Sequence, residues 1–385
     1  MNADLVFDPV SEELLPSGRD ENSWAESILI NTGKSFRWQK KHLAIIGLTE
    51  ERGSLRNHGV AAAADAVREQ LYRLKKGSGS YNIVDMGNLR NGVNIQDTYD
   101  RLRMVCEALM QKKIVPIIIG GSHDLDLGQY AAYESTGRLI SVVNVDAKID
   151  VEEKNKEDLS ASHIHQLLTY KPNYLFNFNH LAYQSYLNSA MALEILETLY
   201  FEAYSVGQMR NDFNEVEPVV RQGDMLSFDI SSIKMNDAPG NVHAPAMGLH
   251  AEEASQICWF AGLSSKLSSI GFYEYNPVFD ERRKTASLIA IMIWYFVEGF
   301  YHRVPEHDFQ GNAFMKYVVS ALDNSSNMVF FKHKVTQKWW MEVPYPNEVA
   351  GKQKTITIPC SYKDYITANQ GEVPDRWINT YAKLI

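Results

Sequence analysis

Short apolar runs alternate with longer amphipathic segments through the middle of the chain. The runs at 42–47, 82–87, 114–121, 139–145, 224–230 and 269–272 predict buried strands, and the segments at 60–74, 98–112 and 285–302 predict helices. Strands that are apolar throughout are typical of parallel sheets covered on both faces by helices. The pattern therefore predicts an α/β fold with three layers, α/β/α, around a mostly parallel sheet. In such sheets, sites form outside the carboxyl ends of the strands.

The same pattern divides the chain into three parts. Residues 1–40 are polar without clear periodicity and are predicted to form an N-terminal arm, whereas residues 41–303 form the α/β domain. Residues 304–385 are predicted to be a C-terminal extension packed on the domain or on a partner, with a hairpin formed by 327–334 and 338–343. The apolar stretch at 286–297 is too short to span a bilayer and predicts a buried helix.

Composition narrows the classes of partner. The chain has 385 residues with 45% hydrophobic content and a formal net charge of −9, which disfavours nucleic acid or an anionic membrane as the main partner. Three widely spaced cysteines fit reduced thiols, and the first ten residues lack the pattern of a secretory signal. We therefore expect a cytoplasmic protein with no membrane contact. A small-molecule substrate or ligand and a homo-oligomer are both compatible with the sequence.

Polar residues that are costly to bury follow three of the predicted strands. His123 follows the first, Asp146 and Asp150 follow the second, and Asp229 closes the third. Buried carboxylates need a cation or hydrogen-bond donors. One imidazole and three carboxylates would form an oxygen-rich site suited to Mn²⁺ or a similar ion. Each segment alone also fits a turn or a helix cap, so the interpretation depends on the order and spacing of all three.

These three segments resemble the metal-binding motifs of the ureohydrolase family, which includes arginase, agmatinase and formimidoylglutamase. The family shows Gly-Gly-Asp-His, Asp-Ala-His-x-Asp and Ser-x-Asp-x-Asp, and this chain has Gly-Gly-Ser-His at 120–123, Asp-Ala-Lys-Ile-Asp at 146–150 and Ser-Phe-Asp-Ile-Ser at 227–231. The sequence at 274–277, Glu-Tyr-Asn-Pro, is similar to the family's Glu-Val-Asn-Pro. The resemblance covers residues 42–302 and implies an arginase-like fold. Ser122 favours the formimidoylglutamase branch.

The resemblance also implies roles for individual residues. In the family, two Mn²⁺ ions activate a water molecule that attacks a guanidino or formimino carbon. One ion would be held by His123, Asp146, Asp150 and Asp229, and the candidate catalytic residues are Asp150 and Glu274, the latter facing the guanidino group. His163 lies near the place of a family catalytic histidine, but we expect it to be a surface residue.

Two departures from the motifs affect the second ion. The ligands that bind only the second ion would come from the positions that Lys148 and Ser231 occupy here. A charged lysine has no lone pair to offer a metal. We therefore expect at most one Mn²⁺ ion, or none, with the Lys148 ammonium held by Asp146 and Asp229 in place of the second ion. Two hypotheses stay open. The protein is either an impaired, one-metal or metal-free hydrolase of linear guanidino or formimino C–N bonds, or a catalytically inactive ureohydrolase fold that binds a ligand or a protein partner.

Overall fold

The computed structural model describes residues 1–18, 20–34, 36–152, 157–306, 308–320, 327–346 and 354–384. Its strands are Phe7–Asp8 (β1), Leu29–Ile30 (β2), Leu43–Leu48 (β3), Ile83–Leu89 (β4), Val115–Ile119 (β5), Ile140–Val145 (β6), Leu175–Tyr183 (β7), Glu202–Ser205 (β8), Met225–Asp229 (β9), Ser269–Tyr273 (β10), Phe314–Ser320 (β11), Asn327–His333 (β12), Trp339–Tyr345 (β13) and Lys354–Cys360 (β14). Its α-helices are Ala3–Val6 (α1), Trp24–Ser27 (α2), Ala63–Leu71 (α3), Ile95–Met110 (α4), Asp126–Ala131 (α5), His163–Thr169 (α6), Ala190–Thr198 (α7), Val206–Asn211 (α8), Val216–Arg221 (α9), Ala251–Leu263 (α10), Lys284–Tyr301 (α11), Tyr362–Asn369 (α12) and Asp375–Ala382 (α13).

The larger sheet has ten strands in the order β1-β4-β3-β5-β10-β9-β6-β7-β8, with β2 also paired to β4. All of its pairings are parallel except that of β1 with β4. Helices cover both faces, and the predicted mostly parallel α/β/α fold is confirmed. The two short strands before residue 41 lie at the β4 edge of this sheet.

Alternate side chains of the central strands enter two separate cores. In β3, Ile45 packs into the cluster formed with α3, α10 and α11, whereas Ile46 packs into the cluster formed with α4. Residues Ile117 and Ile118 of β5 divide in the same way. A strand buried on both faces has no polar side, which explains why its sequence is apolar throughout. Among the described residues, no helix combines the length and hydrophobicity needed to cross a membrane.

The C-terminal part forms a second sheet of four antiparallel strands in the order β11-β12-β13-β14. The predicted hairpin is confirmed, since β12 pairs with β13 in the register Phe330 to Met341. The side chain of Arg221, at the end of α9, reaches this sheet. Its Nη2 donates to the carbonyl oxygen of Trp339 at 3.0 Å, and its guanidinium lies 4.3 Å from the ring centroid of Trp340.

Candidate metal centre

The carboxyl ends of β5, β9 and β6 bring the predicted site residues to one edge of the sheet. These strands lie within four consecutive positions of the strand order. Gly120 and Gly121 follow β5 with φ of +92° and +77°, a region that glycine adopts without strain. A Cβ atom at Gly121 would lie 2.2 Å from Leu125 Cδ1. The glycine pair therefore permits the tight turn that places His123 over the strand ends.

His123, Asp146 and Asp229 converge at the centre of the site. The Nδ1 atom of His123 lies 3.3 Å from Asp229 Oδ2 and 3.5 Å from Asp146 Oδ2, and its ring is 1% exposed. Both distances are longer than a normal N–H···O hydrogen bond. The polar atoms of these side chains thus face one another without forming a hydrogen bond of normal length.

Asp150 and Ser231 lie at the same site. Asp150 is half-buried, and its carboxylate lies within 4.8 Å of Asp146 and of a ring nitrogen of His163, a group separate from that of His123, Asp146 and Asp229. The backbone N–H of Ser231 donates to Asp229 Oδ1 at 2.6 Å, and its hydroxyl donates to Asp146 Oδ1 at 3.4 Å. Ser231 therefore supports two of the carboxylates and supplies no charge of its own.

Lys148 is not where the sequence analysis placed its ammonium. Its backbone N–H donates to Asp146 Oδ1 at 3.0 Å, and its half-buried side chain lines the cavity. Within the described parts of the chain, the ammonium forms no ion pair with Asp146 or Asp229. The expected ion pair was wrong because the inner oxygens of both aspartates face the His123 imidazole. Lys148 acts at a greater distance. Burial lowers the pKa of His243, and the charge on Lys148 lowers it further. The same charge opposes the rise in the pKa of Asp150.

His163 is a site residue, and the expectation that it lies at the surface was wrong. It is fully buried at the start of α6, and its ring stacks on that of His123 with centroids 3.7 Å apart. Its Nδ1 lies 2.8 Å from Oδ2 of the buried Asp126, which the sequence analysis missed. The available signal was weak: Asp126 follows His123 by three residues, which is about one helical turn.

The substrate-facing candidate Glu274 is held firmly at the edge of the site. It is 5% exposed and has a φ of +64°. Its Oε1 accepts from the backbone N–H of His123 at 2.8 Å and from the hydroxyl of Ser160, and its Oε2 accepts from Asn57 Nδ2 at 2.7 Å. Sequence analysis did not identify Asn57 or Ser160, because neither belongs to a recognised motif.

The acidic groups and imidazoles shift one another's pKa values. Burial alone would lower the pKa of His123, but Asp146 and Asp229 raise it well above its usual value. Burial tends to raise the pKa of Asp146, yet the two imidazoles hold it below its usual value. Burial and the charge on Asp146 raise the pKa of Asp150 to about 7, and burial and the charge on Asp229 do the same for Glu274. The centre thus balances carboxylates against imidazoles.

The donor set fits one divalent cation. Carboxylate oxygens with imidazole nitrogens are ordinary ligands of Mn²⁺, Zn²⁺ and related ions. Several of these atoms are buried without a hydrogen bond within the described residues, among them His123 Nδ1 and Asp146 Oδ2. A bound cation would satisfy them, whereas Lys148 and Ser231 offer it no equivalent of an imidazole or a carboxylate.

A cavity of about 40 Å³ opens at this centre. It is lined by Ser54, Asp146, Lys148, Asp150, Asp158, Ser160, Ala161, Asp229, Ser231, Asn241, His243 and Glu274. Pockets that enclose drug-sized ligands usually measure about 300–1,000 Å³. The cavity therefore has room for an ion with a few water molecules, and a larger ligand would need the lining loops to move.

Comparison with known proteins agrees with the motifs. A family model described as the arginase family matches residues 41–298. The formimidoylglutamase of Corynebacterium efficiens is 24% identical over 271 residues, which are 66% of this chain and 83% of that protein. The formimidoylglutamase of Staphylococcus aureus is 26% identical over 270 residues, which are 66% of this chain and 86% of that protein.

Solved structures show the same fold. Formiminoglutamase from Trypanosoma cruzi with Mn²⁺ superposes with a TM-score of 0.65 at 24% identity, covering 70% of this chain and 97% of that one. Formimidoylglutamase from Bacillus subtilis superposes with a TM-score of 0.66 at 20% identity, covering 75% of this chain and 95% of that one. The matched part holds the metal centre, since His123, Asp146, Asp229 and Glu274 all lie between residues 41 and 298.

Proposed function

This chain belongs to the arginase family, and we propose that it is a one-metal member that hydrolyses linear formimino or guanidino C–N bonds slowly. The observation that carries the proposal is the convergence of His123, Asp146 and Asp229 on one point. Lys148 and Ser231 occupy the positions at which the family motifs have the ligands of the other ion. One Mn²⁺ ion, with Asp150 completing the ligand set, accounts for both facts.

The chemistry follows from the residues at the cavity. A bound divalent ion supplies Lewis acidity and lowers the pKa of water near it. Glu274 lines the same cavity as Lys148, and its ionised form would neutralise the amidinium of a substrate. Asp150 lines the same cavity, where its carboxylate would bind the ion and accept a hydrogen bond from water beside it. With a single ion, activation of the water is weaker than in a two-metal site.

We expect the purified protein to hold one divalent ion per chain after loading with Mn²⁺ and removal of excess metal. The reason is that the ligands particular to a second ion are replaced at residues 148 and 231. Elemental analysis measures the ratio, and Asp229→Ala is expected to abolish it. The variant Asp65→Ala is the matched control, because Asp65 is 46% exposed, does not line this cavity and belongs to none of the potential metal clusters of the described residues. Two tightly held ions per chain, both lost in Asp229→Ala, would contradict the proposal.

Hydrolysis by the Mn²⁺-loaded protein is expected to be slow. We expect almost no urea from arginine or agmatine, and release of formamide from N-formimidoyl-glutamate at a rate below the range of about 1–10³ s⁻¹ that is common for enzymes. The substrate is suggested by the relatives named formimidoylglutamase. A steady-state assay with Asp229→Ala as the blank measures both activities. Turnover within the common range would contradict the one-metal proposal.

The small cavity favours a second candidate function. A volume of about 40 Å³ does not accommodate an amino-acid amidine without movement of the lining loops. The second candidate is therefore a catalytically inactive member of the family that binds a ligand or a protein partner. The same assay separates the two: formamide release that depends on Asp229 supports the hydrolase, and its complete absence from a protein shown to hold its ion supports the inactive fold.

A further inference from the structure

A second and larger cavity lies between the α/β domain and the C-terminal part of the chain. Its volume is about 500 Å³, within the range of about 300–1,000 Å³ that is usual for small-molecule sites. One wall is formed by β8, α8 and α9, and the other by α12 and the start of α13. None of its described lining residues belongs to the cavity at the metal centre. Its second wall, residues 363–376, lies outside the part that the family model matches.

The lining of this interdomain cavity is strongly acidic. Six carboxylates and two cationic side chains line it, an excess of four negative charges. The six carboxylates come from both walls and belong to Glu202, Asp212, Glu215, Asp364, Glu372 and Asp375. A concave surface with one sign of charge attracts ligands of the opposite sign. The charge therefore favours a ligand with at least one positive group.

Only part of this negative charge is balanced within the described chain. Asp364 accepts from Arg376 Nη1 at 2.8 Å, and Arg376 Nη2 lies 3.7 Å from Glu215 Oε2. Burial raises the pKa of Glu215, and the charges on Asp364 and Asp212 raise it further, although Arg376 opposes the rise. Three of the carboxylates form no ion pair with any residue that the structure describes, namely Asp212, Glu372 and Asp375. These three are free to bind a cation.

Arg376 also brings an unpartnered hydrogen-bond donor to the cavity. Its side chain is 9% exposed, and its buried Nε has no hydrogen-bond partner among the described residues. Such a donor is costly to bury unless an acceptor meets it. Carboxylates are the usual acceptors for guanidinium groups, and the exposed ammonium of Lys363 lines the same cavity. The ligand is therefore expected to carry a carboxylate as well as a positive group.

The wall that belongs to the α/β domain adds an apolar strip. Its four residues are at most 3% exposed and are part of the core beneath the cavity: Leu181, Met209, Val216 and Val219. Methylene groups that pack on such a strip are removed from water, which is favourable. The strip therefore suits an aliphatic chain between the two charged ends of a ligand.

We propose that this interdomain cavity binds an amino acid with a straight aliphatic side chain that ends in a positive charge. The ligand carboxylate accepts from Arg376 Nε and pairs with Lys363, the methylenes pack on the apolar strip, and the side-chain cation binds the three unpaired carboxylates. The proposal goes beyond the hydrolysis of C–N bonds and does not depend on it. It gives the C-terminal part of the chain a role in binding a small molecule.

The test is isothermal titration calorimetry of the full-length, Mn²⁺-loaded protein with L-lysine as the probe, which has no formimino or guanidino group. We expect a Kd below about 1 mM. Cadaverine lacks the carboxylate, and L-norleucine lacks the side-chain ammonium. Each is expected to bind at least about tenfold more weakly, because each loses hydrogen bonds to a charged group. The Asp229→Ala variant is expected to bind L-lysine as the parent does, since Asp229 belongs to the other cavity.

The double variant Asp212→Asn with Glu372→Gln is expected to weaken L-lysine binding at least about tenfold, because it removes two charges and little volume. Glu194→Gln with Glu197→Gln is the matched control, since it removes the same charge from exposed positions of α7 outside the cavity. It is expected to match the parent. Arg376→Lys keeps the positive charge but lacks Nε, and is expected to weaken L-lysine binding without weakening cadaverine binding. Should Arg376→Lys fail to fold, the two ligands compared on the parent still test recognition of the carboxylate.

Three outcomes would overturn the proposal. One is a Kd for L-lysine weaker than about 1 mM in the parent, and another is an unchanged Kd in the Asp212→Asn, Glu372→Gln variant. The third is cadaverine binding as tightly as L-lysine, which would show that the carboxylate is not recognised. Loss of L-lysine binding in Asp229→Ala would place the probe at the metal centre, and would overturn this proposal while leaving the hydrolytic one intact. Failure of formamide release with L-lysine still bound would do the reverse.

Discussion

The Asp85→Ala variant is expected to lose about 3–5 kcal/mol of free energy of unfolding, because it leaves Arg68 buried without its counter-charge. Both side chains are 0% exposed. Arg68 Nε and Nη2 donate to the two carboxylate oxygens of Asp85 at 2.9 and 2.8 Å, and Tyr72 donates to the same group at 2.8 Å. Burial opposes the charge on Arg68, but Asp85 raises its pKa above the ordinary value.

Asp65→Ala is the matched control, because Asp65 contacts the same guanidinium from a position that is 46% exposed. Exposed ion pairs contribute about 0–1 kcal/mol, so this variant is expected to stay within that range of the parent. Guanidinium chloride unfolding measures both. Equal losses of unfolding free energy in the two variants would show that burial of the Arg68–Asp85 pair does not determine how much the pair stabilises the fold.

The Arg68–Asp85 pair also matters for the candidate site. It fixes α3 against β4, and α3 follows the loop that carries Asn57. Asn57 donates to the carboxylate of Glu274 at 2.7 Å. Loss of the pair is therefore expected to loosen the support of Glu274 before the chain unfolds globally.

Strands whose side chains are mostly apolar were predicted from the sequence, whereas β7 was missed. The runs that became β3 and β5 have no polar side chain, those that became β6 and β9 have two each, and all four were found within one or two residues of their bounds. Strand β7 reads Leu-Phe-Asn-Phe-Asn-His-Leu-Ala-Tyr, and its polar residues are buried. Asn177, Asn179 and His180 gave the segment the pattern of a half-exposed strand or loop. Their burial depends on neighbours that are distant in sequence.

The candidate site was predictable as far as the motifs extend. Order and spacing sufficed to bring His123, Asp146 and Asp229 to one sheet edge, because strand ends in parallel sheets meet there. His163 was misjudged because its partner Asp126 lies 37 residues away, and no local pattern reveals such a pair. Lys148 was misjudged for a different reason. Adjacency to Asp146 in sequence fixes the backbone turn between them but does not fix the direction of a four-carbon side chain.

The double variant Lys148→His with Ser231→Asp is expected to raise the metal content from one divalent ion per chain to two. Both positions line the cavity together with Asp146 and Asp229. The changes supply the imidazole and the carboxylate that the family motifs have at these positions. They also remove one positive charge and add one negative charge, and a second divalent ion neutralises that difference of two.

Geometry favours the new ligands. Ser231 already approaches Asp146, with its hydroxyl 3.4 Å from Oδ1, so a carboxylate on this residue would lie beside one shared ligand. Its backbone N–H holds Asp229, the other shared ligand, at 2.6 Å. Replacement of the side chain leaves that backbone contact in place. The Lys148 side chain is half-buried at the cavity, whereas Ser231 is buried at its wall.

Elemental analysis after Mn²⁺ loading measures the gain, and magnetic coupling between two Mn²⁺ ions in the electron paramagnetic resonance spectrum shows that they are adjacent. The matched control is Lys148→Gln with Ser231→Asn, which has similar size and removes the ammonium but adds no anionic ligand. It is expected to remain at one ion. A ratio of one in the double variant, with the fold intact by circular dichroism, would show that Lys148 and Ser231 do not account for the missing second ion. Two ions with faster release of formamide would show that these two residues limit the hydrolysis.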